Sequence, residues 1–416
     1  MRTNTIENIR NQFPFLTQKV SGREPIYFDS AATSQRPQSV ISAINEWNSF
    51  ANANVHRAVH HLSACATDNY EGGRESVRMF VNASKREEII FTSGTTASIN
   101  LLANTIGGVL LKEGEAMLIT EGEHHSNIVP WQILTQRIGA KLIYLPVDES
   151  GQWEMGQLDT LFEKENIKFV SAAHISNVLG LVNPIEKLIE TAHKYGAKVH
   201  IDGAQGIVHQ VVDVQRLDCD FYSFSGHKIY AATGIGILYG KESLLEILPP
   251  WIAGGDMVDT VTFQKTTYAK LPLKFEAGTP NFIGGATFTP ALEFALSTRC
   301  EEVEQNEKML KEFLFKELSA VEGLRIYGTG ENKTPVYSFS VEGVHHSDIA
   351  MLLDQMGIAL CVFPNDEKGG FYPVFIQNIQ NSAECLKFLF SCMHCCFHLS
   401  YYISRRYTPQ NDNVWL

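Results

Sequence analysis

Lys198-Val199-His200-Ile201-Asp202 runs into Gly203-Ala204-Gln205. One helical step later, Asp220-Phe221-Tyr222-Ser223-Phe224-Ser225 runs into Gly226-His227-Lys228. Each stretch is short and largely apolar, ending in polar residues and a glycine, which is the pattern of a strand buried on both faces whose carboxyl end opens toward a ligand. Working outward, similar runs occupy residues 88–92, 116–120, 141–147, 168–176 and 234–239, and helical patterns at 97–106 and 186–195 separate some of them. The alternation predicts an α/β fold, a mostly parallel sheet with helices on both faces. Past Pro290 the pattern changes to a long helix over 290–321, a strand at 336–341, a helix over 347–356 and a short strand at 358–360, which reads as a smaller α+β domain. The expected division is a large domain over 26–284 and a small one from 1–25 and 285–416, with 361–416 atypical in composition.

With 416 residues, 44% hydrophobic and 19% charged, the chain is too large for a disulfide-stapled miniprotein and too apolar for a disordered one. Lys and Arg number 34 against 46 Asp and Glu, a formal charge of -12, and no basic run offsets it. Such a surface repels phosphate backbones, so no nucleic-acid partner is expected. The longest apolar stretch, Cys385 to Ile403, is interrupted by Lys387, His394 and His398, so no membrane span is expected either. The stretch from Met1 to Lys19 lacks the apolar core of an export signal, which places the expected location in the cytoplasm, with reduced thiols.

Four places after apolar runs carry chemistry. Thr92-Ser93-Gly94-Thr95-Thr96 joins a strand to a helix, where free N–H groups and hydroxyls can hold a phosphate; an ordinary N-cap is the plain alternative. Asp202, at the end of a buried strand, needs a cation such as a pyridinium nitrogen, or else caps the next turn. Lys228 at a strand end, out of bulk water, can attack a carbonyl to form a Schiff base; a solvated loop lysine is the alternative. His124, in Glu123-His124-His125-Ser126-Asn127, can stack on an aromatic ring or move protons. Two adjacent histidines also suggest metal, but no ligand set completes them, and no metal is expected. Phosphate cradle, acid, amine and imidazole together describe pyridoxal 5'-phosphate.

These residues resemble the class V branch of the fold type I pyridoxal-phosphate enzymes, and within it the SufS-type cysteine desulfurases. The matching stretches are Tyr27 to Gln35, Asn54 to His60, Thr92 to Thr96, Glu123 to Trp131, His174 to Gly180, Asp202 to Gln205, Ser225 to Lys228 with Thr233 to Gly236, and Phe275 to Asn281. The resemblance implies that Lys228 holds the cofactor, His124 stacks on its ring, Asp202 pairs with the ring nitrogen and Gln205 bonds the ring hydroxyl. It implies a phosphate site at Thr95, Thr96, Ser225 and His227, completed by Thr279 from the second copy of a homodimer, and a carboxylate site at Asn177. The implied reaction takes L-cysteine, or its selenium analogue L-selenocysteine, to L-alanine, and the sulfur passes through an enzyme persulfide to an acceptor protein for iron-sulfur cluster assembly.

After Leu360 the chain departs from that family, which continues with Arg-Thr-Gly-x-His-Cys-Ala. Here Cys361 stands at the first arginine, Asp366 at the nucleophile, and the second family arginine falls near Asn381. Of the eight cysteines, five lie from Cys361 to Cys396, and aromatic residues are enriched in the same tail. A reading-frame change near codon 361 accounts for both the lost match and the composition. The alternatives are a relocated nucleophile at Cys361 or Cys385, and a metal site at Cys392, His394, Cys395, Cys396 and His398. Sulfur transfer is therefore in question, and the other readings are a different class V enzyme, aminotransferase or lyase, or a silent cofactor-binding homologue.

Overall fold

The computed structural model describes residues 5–20, 22–57, 59–362 and 374–376. Asp366, Asn381, Cys385 and the cluster from Cys392 to His398 lie outside them. Two compact units divide the chain. The larger takes Thr33–Arg299 and Gly330–Thr334, the smaller the described residues of Met1–Ala32, Cys300–Thr329 and Pro335–Leu416.

The larger unit is built on a seven-stranded sheet of β1 (Ile89–Thr92), β2 (Ala116–Thr120), β3 (Lys141–Leu145), β4 (Ile167–Ala173), β5 (Lys198–Asp202), β6 (Phe221–Ser225) and β7 (Gly236–Gly240), in the spatial order β1-β7-β6-β5-β4-β2-β3. Every pairing is parallel except those of β7, which is antiparallel to both neighbours. Every residue of β2, β6 and β7 is buried, as the near-continuous apolar runs require, whereas edge strand β3 exposes Lys141 and Tyr144.

Alternation along each strand divides the side chains between two cores. Val170, Ile201, Tyr222, Phe224 and Ile237 pack with α1 (His61–Phe80) and α4 (Ile185–Lys194); Met117, Phe169, Phe221 and Leu238 pack with α2 (Thr95–Thr105) and α3 (Val129–Ile138). Each such side chain contributes roughly 1.5–3 kcal/mol by leaving water. A one-residue slip in any strand would reverse its rows, so the register is strongly specified.

Two expected elements end differently. The run at 168–176 stops as a strand at Ala173, where the Asn183 amide takes the Ala173 carbonyl at 2.8 Å and the chain peels off the sheet. The long helix expected over 290–321 is two helices, Phe288–Ser297 and Glu301–Ser319. Ser297 and Thr298 turn their hydroxyls onto the carbonyls of Phe294 and Ala295, closing the first helix. Glu301, Glu302 and Glu304 then suit the positive start of the second.

In the smaller unit, Leu324–Tyr327, Tyr337–Val341, Val374–Ile376 and Cys361–Val362 form an antiparallel sheet in that order. The helix Glu301–Ser319 buries Leu310, Leu314 and Leu318, a stripe at four-residue spacing, in a core with Phe339, Ile349 and Leu353. Ile26–Tyr27 pairs in parallel with Ile358–Ala359, which ties the N-terminal segment into this unit.

Candidate active site

Because β7 is reversed, β1 and β6 point the same way on either side of it, and Thr92 and Ser225 both lie opposite Gly236. Gly94 sits there with φ 146°, and a Cβ on Gly236 would come within 2.4 Å of the Gly94 Cα, so glycine at both positions lets the turn after β1 press onto β7. Thr95 donates its N–H to Ser225 Oγ at 2.8 Å, and the two hydroxyls are also 2.8 Å apart. The helical ladder of α2 starts with Ser98 N–H on Gly94 O at 3.0 Å, so the N–H groups of Thr96 and Ala97 stand ahead of it at the positive end of the helix. Thr96 is exposed and Thr95 buried.

Lys228 ends the tight turn Gly226–Lys228 that follows β6. That turn is clamped from outside: the His227 carbonyl accepts the N–H and the hydroxyl of Ser34 at 3.0 and 2.8 Å, and Ser34 Oγ accepts the N–H of Tyr230 at 3.0 Å. Burial holds the Lys228 ammonium below its ordinary pKa, with Asp202 pulling the other way. Burial likewise raises the Asp202 carboxyl, opposed by the Ala204 N–H at 2.9 Å and by Lys228. The His124 imidazole is pushed down to about 4 by desolvation first, then by the charges of Lys228 and His125. Its Nδ1 accepts the Ser126 N–H at 3.1 Å, with Ser126 Oγ at 2.7 Å, so the neutral ring carries its proton on Nε2. His227 is lowered by burial, then by Lys228 and Arg36. Amine, acid and both imidazoles thus lie within one electrostatic neighbourhood.

Gln205 is buried at the start of the short turn after Asp202, and Asn177 is half-buried in the loop after β4, where the Ser176 hydroxyl accepts the Leu179 N–H at 3.1 Å. Thr279 is different. It is exposed in a loop beyond Gly278, and among the described residues no hydrogen bond joins it to Thr96, Ser225 or His227. A cavity of about 270 Å³ lies between the turn after β1 and that loop, walled by Tyr70, Ser93, Trp251, Glu276 and Asn281 among others, and not by Lys228, Asp202 or His124.

Sequence reasoning assigned no role to Ser34, Arg36 or Glu123. Ser34 and Arg36 meet the Lys228 turn from a segment nearly two hundred residues away, which no local pattern reports. Glu123 is a buried carboxyl one residue before His124, but it stands among polar neighbours, Glu121, His124, His125, Ser126 and Asn127, so nothing in the sequence marks it as buried.

The family description Aminotransferase class-V matches residues 26–362. A probable cysteine desulfurase of Vibrio cholerae is 45% identical over 396 residues, covering 94% of this chain and 98% of that protein. A cysteine desulfurase of Synechococcus elongatus is 45% identical over 85% of this chain, which spans 56% of its length. Among solved structures, the cysteine desulfurase CsdA of Escherichia coli superposes with a TM-score of 0.86 at 34% identity over 96% of this chain and all of that one. The apo cysteine desulfurase of Thermococcus onnurineus NA1 gives 0.87 at 32% identity over 93% and 96%. A half-buried lysine, a buried acid and an imidazole at or beyond the strand ends of this fold, together with these matches, place the chain in the class V aminotransferase family, within its pyridoxal-phosphate-dependent cysteine desulfurases.

Proposed function

We propose that Lys228, Asp202 and His124 are the working centre of a cysteine desulfurase acting on L-cysteine, and the observation that carries this is that the charge of Lys228 acts on both Asp202 and His124, at or beyond the ends of their strands. The donor set fits pyridoxal phosphate: a buried carboxylate that gains from a cation, a helix start with N–H groups ahead of its own ladder, and an amine whose charge is disfavoured. When bound, that group supplies a carbonyl that condenses with amines and a ring that takes up electrons from the substrate α-carbon.

The chain's own residues do the rest. Lys228 Nζ, whose charge burial disfavours, holds the cofactor and then moves the α-proton. Asp202 anchors the ring nitrogen, Gln205 the ring hydroxyl, and His124 covers the ring face while staying neutral. Thr95, Thr96, Ser225 and His227 take the phosphate, with Thr279 supplied by the second copy of a homodimer; its exposure, and the absence of a hydrogen bond from it to Thr96, Ser225 or His227 among the described residues, support that assignment. Asn177 takes the substrate carboxylate. L-Selenocysteine fits the same site as a heavier analogue. A large cofactor-binding domain and a small α+β domain belong to the same reading.

Sulfur leaves by attack of a thiolate on the substrate sulfur, giving L-alanine and a persulfide that an acceptor protein consumes. Cys361, a half-buried thiol hydrogen-bonded to Asp29, stands where the family has arginine, and this favours a second reading, a cofactor-binding homologue without sulfur transfer. A cytoplasmic location is supported by the free thiols of Cys65, Cys219, Cys300 and Cys361. No helix of the described residues is long and apolar enough to cross a membrane.

The test is to add pyridoxal phosphate, reduce with borohydride and map the label. Visible absorbance lost on reduction, with the adduct on Lys228, is the expected result; a protein that stays colourless contradicts the reading. Alanine and persulfide from L-cysteine distinguish the desulfurase from the silent homologue, and a keto acid product indicates a transaminating enzyme instead.

A further inference from the structure

Beneath the site lies a second polar row that no step above uses. Ser171, His200 and Ser223 stand two residues before Ala173, Asp202 and Ser225 on β4, β5 and β6, and therefore on the same sheet face; Ser171 lies opposite His200, and Ser223 opposite Asp202. All three are fully buried, as are Asn127 and Trp131 above them. Ser171 Oγ lies 2.6 Å from Asn127 Oδ1 and 2.7 Å from His200 Nδ1, and His200 Nε2 lies 2.8 Å from Ser223 Oγ. Asn127 Nδ2 donates to Glu123 Oε2 at 2.6 Å, while Glu123 Oε1 accepts the Thr120 hydroxyl at 2.6 Å and the Ala173 N–H at 3.0 Å.

The direction of every bond is forced. Trp131 Nε1 can only donate, and it meets Asn127 at 2.8 Å, so the atom facing it is the amide oxygen and Nδ2 must face Glu123. The Ser171 hydroxyl, beside that same oxygen, spends its one proton on it. His200 Nδ1 must then carry a proton and donate to Ser171. The ring is neutral, because burial pushes its pKa down to about 3, so Nε2 accepts from Ser223. The chain reads Ser223 to His200 to Ser171 to Asn127 to Glu123, with every dipole turned the same way and ending on the Glu123 carboxyl, whose pKa burial raises to about 7 and which holds the end of β4 to the segment bearing His124.

We propose that Glu123 and this one-way chain are positioning residues that fix the His124 loop over the cofactor site, an inference that rests on the role of His124 given above. Glu123 touches none of the reacting groups; it acts by pinning residues 120–127 to Ala173.

The one-way order allows a swap test. In Glu123→Gln the new amide nitrogen must face either the Ala173 N–H or the Asn127 amide, which Trp131 keeps from turning over. In Asn127→Asp two carboxyls meet, and their hydrogen bond survives only if the pair keeps a proton, so the defect of this variant should grow as pH rises past about 7. In the double variant the new amide donates to the new carboxylate, which still accepts from Trp131 and Ser171, and the chain closes again. Each single variant is expected to bind pyridoxal phosphate on the order of tenfold more weakly, the usual penalty for an unmade buried hydrogen bond, with a shifted visible circular dichroism band. In the apoprotein, His124 should react faster with diethyl pyrocarbonate, followed by mass spectrometry of its peptide. The double variant should return all three readouts toward the parent. Single variants that leave affinity, spectrum and His124 reactivity unchanged would overturn the proposal, as would a double variant no better than the singles. Insoluble singles with a folded double support the forced order, and an insoluble double refutes it. A parent protein that binds no pyridoxal phosphate defeats the proposed function, and the His124 reactivity of the four proteins then decides this inference separately.

Discussion

Lys228 and Asp202 answer each other electrostatically: burial disfavours the charge on both, and each partly restores the other's. Asp202→Asn keeps the shape and the Ala204 contact but removes the counter-charge. Alanine formation should fall by about 10² to 10³, the loss typical of one aimed electrostatic partner, while cofactor still binds; single-turnover kinetics with absorbance titration would show it. A variant with parental turnover would contradict the role given to Asp202. His124, lowered to about 4, stays neutral at every pH above about 5, so the rate profile should show no ionisation near 6.5 that disappears in His124→Gln. The sign follows from its surroundings, since both desolvation and the positive Lys228 oppose protonation.

At the scale of elements, the site is held by contacts between segments distant in the chain. Arg74 of α1, wholly buried, makes a two-pronged pair with Glu276, Nη1 to Oε1 at 2.6 Å and Nη2 to Oε2 at 2.9 Å, and reaches the Ile89 carbonyl at 2.7 Å. Glu276 also accepts the Phe91 N–H at 2.8 Å and the Tyr70 hydroxyl at 3.0 Å, which locks α1, β1 and the loop toward Thr279 together. Glu276→Ala leaves a buried guanidinium with the Glu71 carboxylate and the Ile89 carbonyl, and should cost about 3–5 kcal/mol in denaturant unfolding. Gly236→Ala sets a Cβ against the Gly94 backbone, which has no flexible end to yield. A loss of roughly 1–3 kcal/mol is expected, with weakened phosphate affinity, and an unchanged melting curve would show that the turn is not packed so tightly.

For the whole molecule, the clearest expected behaviour is with pH. His174 and His200 are buried, with pKa values pushed down to about 4 and about 3 from 6.5. The unfolded chain takes up protons below 6.5 that the folded one refuses, so their contribution is intact above that pH and is lost as pH falls toward 4 and 3. Each is worth on the order of 3 to 5 kcal/mol, while Glu123, raised by burial to about 7, works the other way over the same range; the two histidines outweigh it, so the urea midpoint should fall between pH 6.5 and 4.5, and a flat profile would contradict their burial. The α/β architecture, the positions of Asp202, Lys228, His124 and Thr92 to Thr96 at strand ends, and the family were legible in the residue order, because each polar group lies at the end of its apolar run or within four positions of it and strand ends are local features. Only the tertiary structure decided that β7 is reversed, which sets Thr92 and Ser225 on either side of Gly236, that Ser34 clamps the Lys228 turn, and that Ser223, His200, Ser171 and Asn127 form a single file behind Glu123. Those outcomes depend on sheet order and register, which long-range packing selects and no window of neighbouring residues contains.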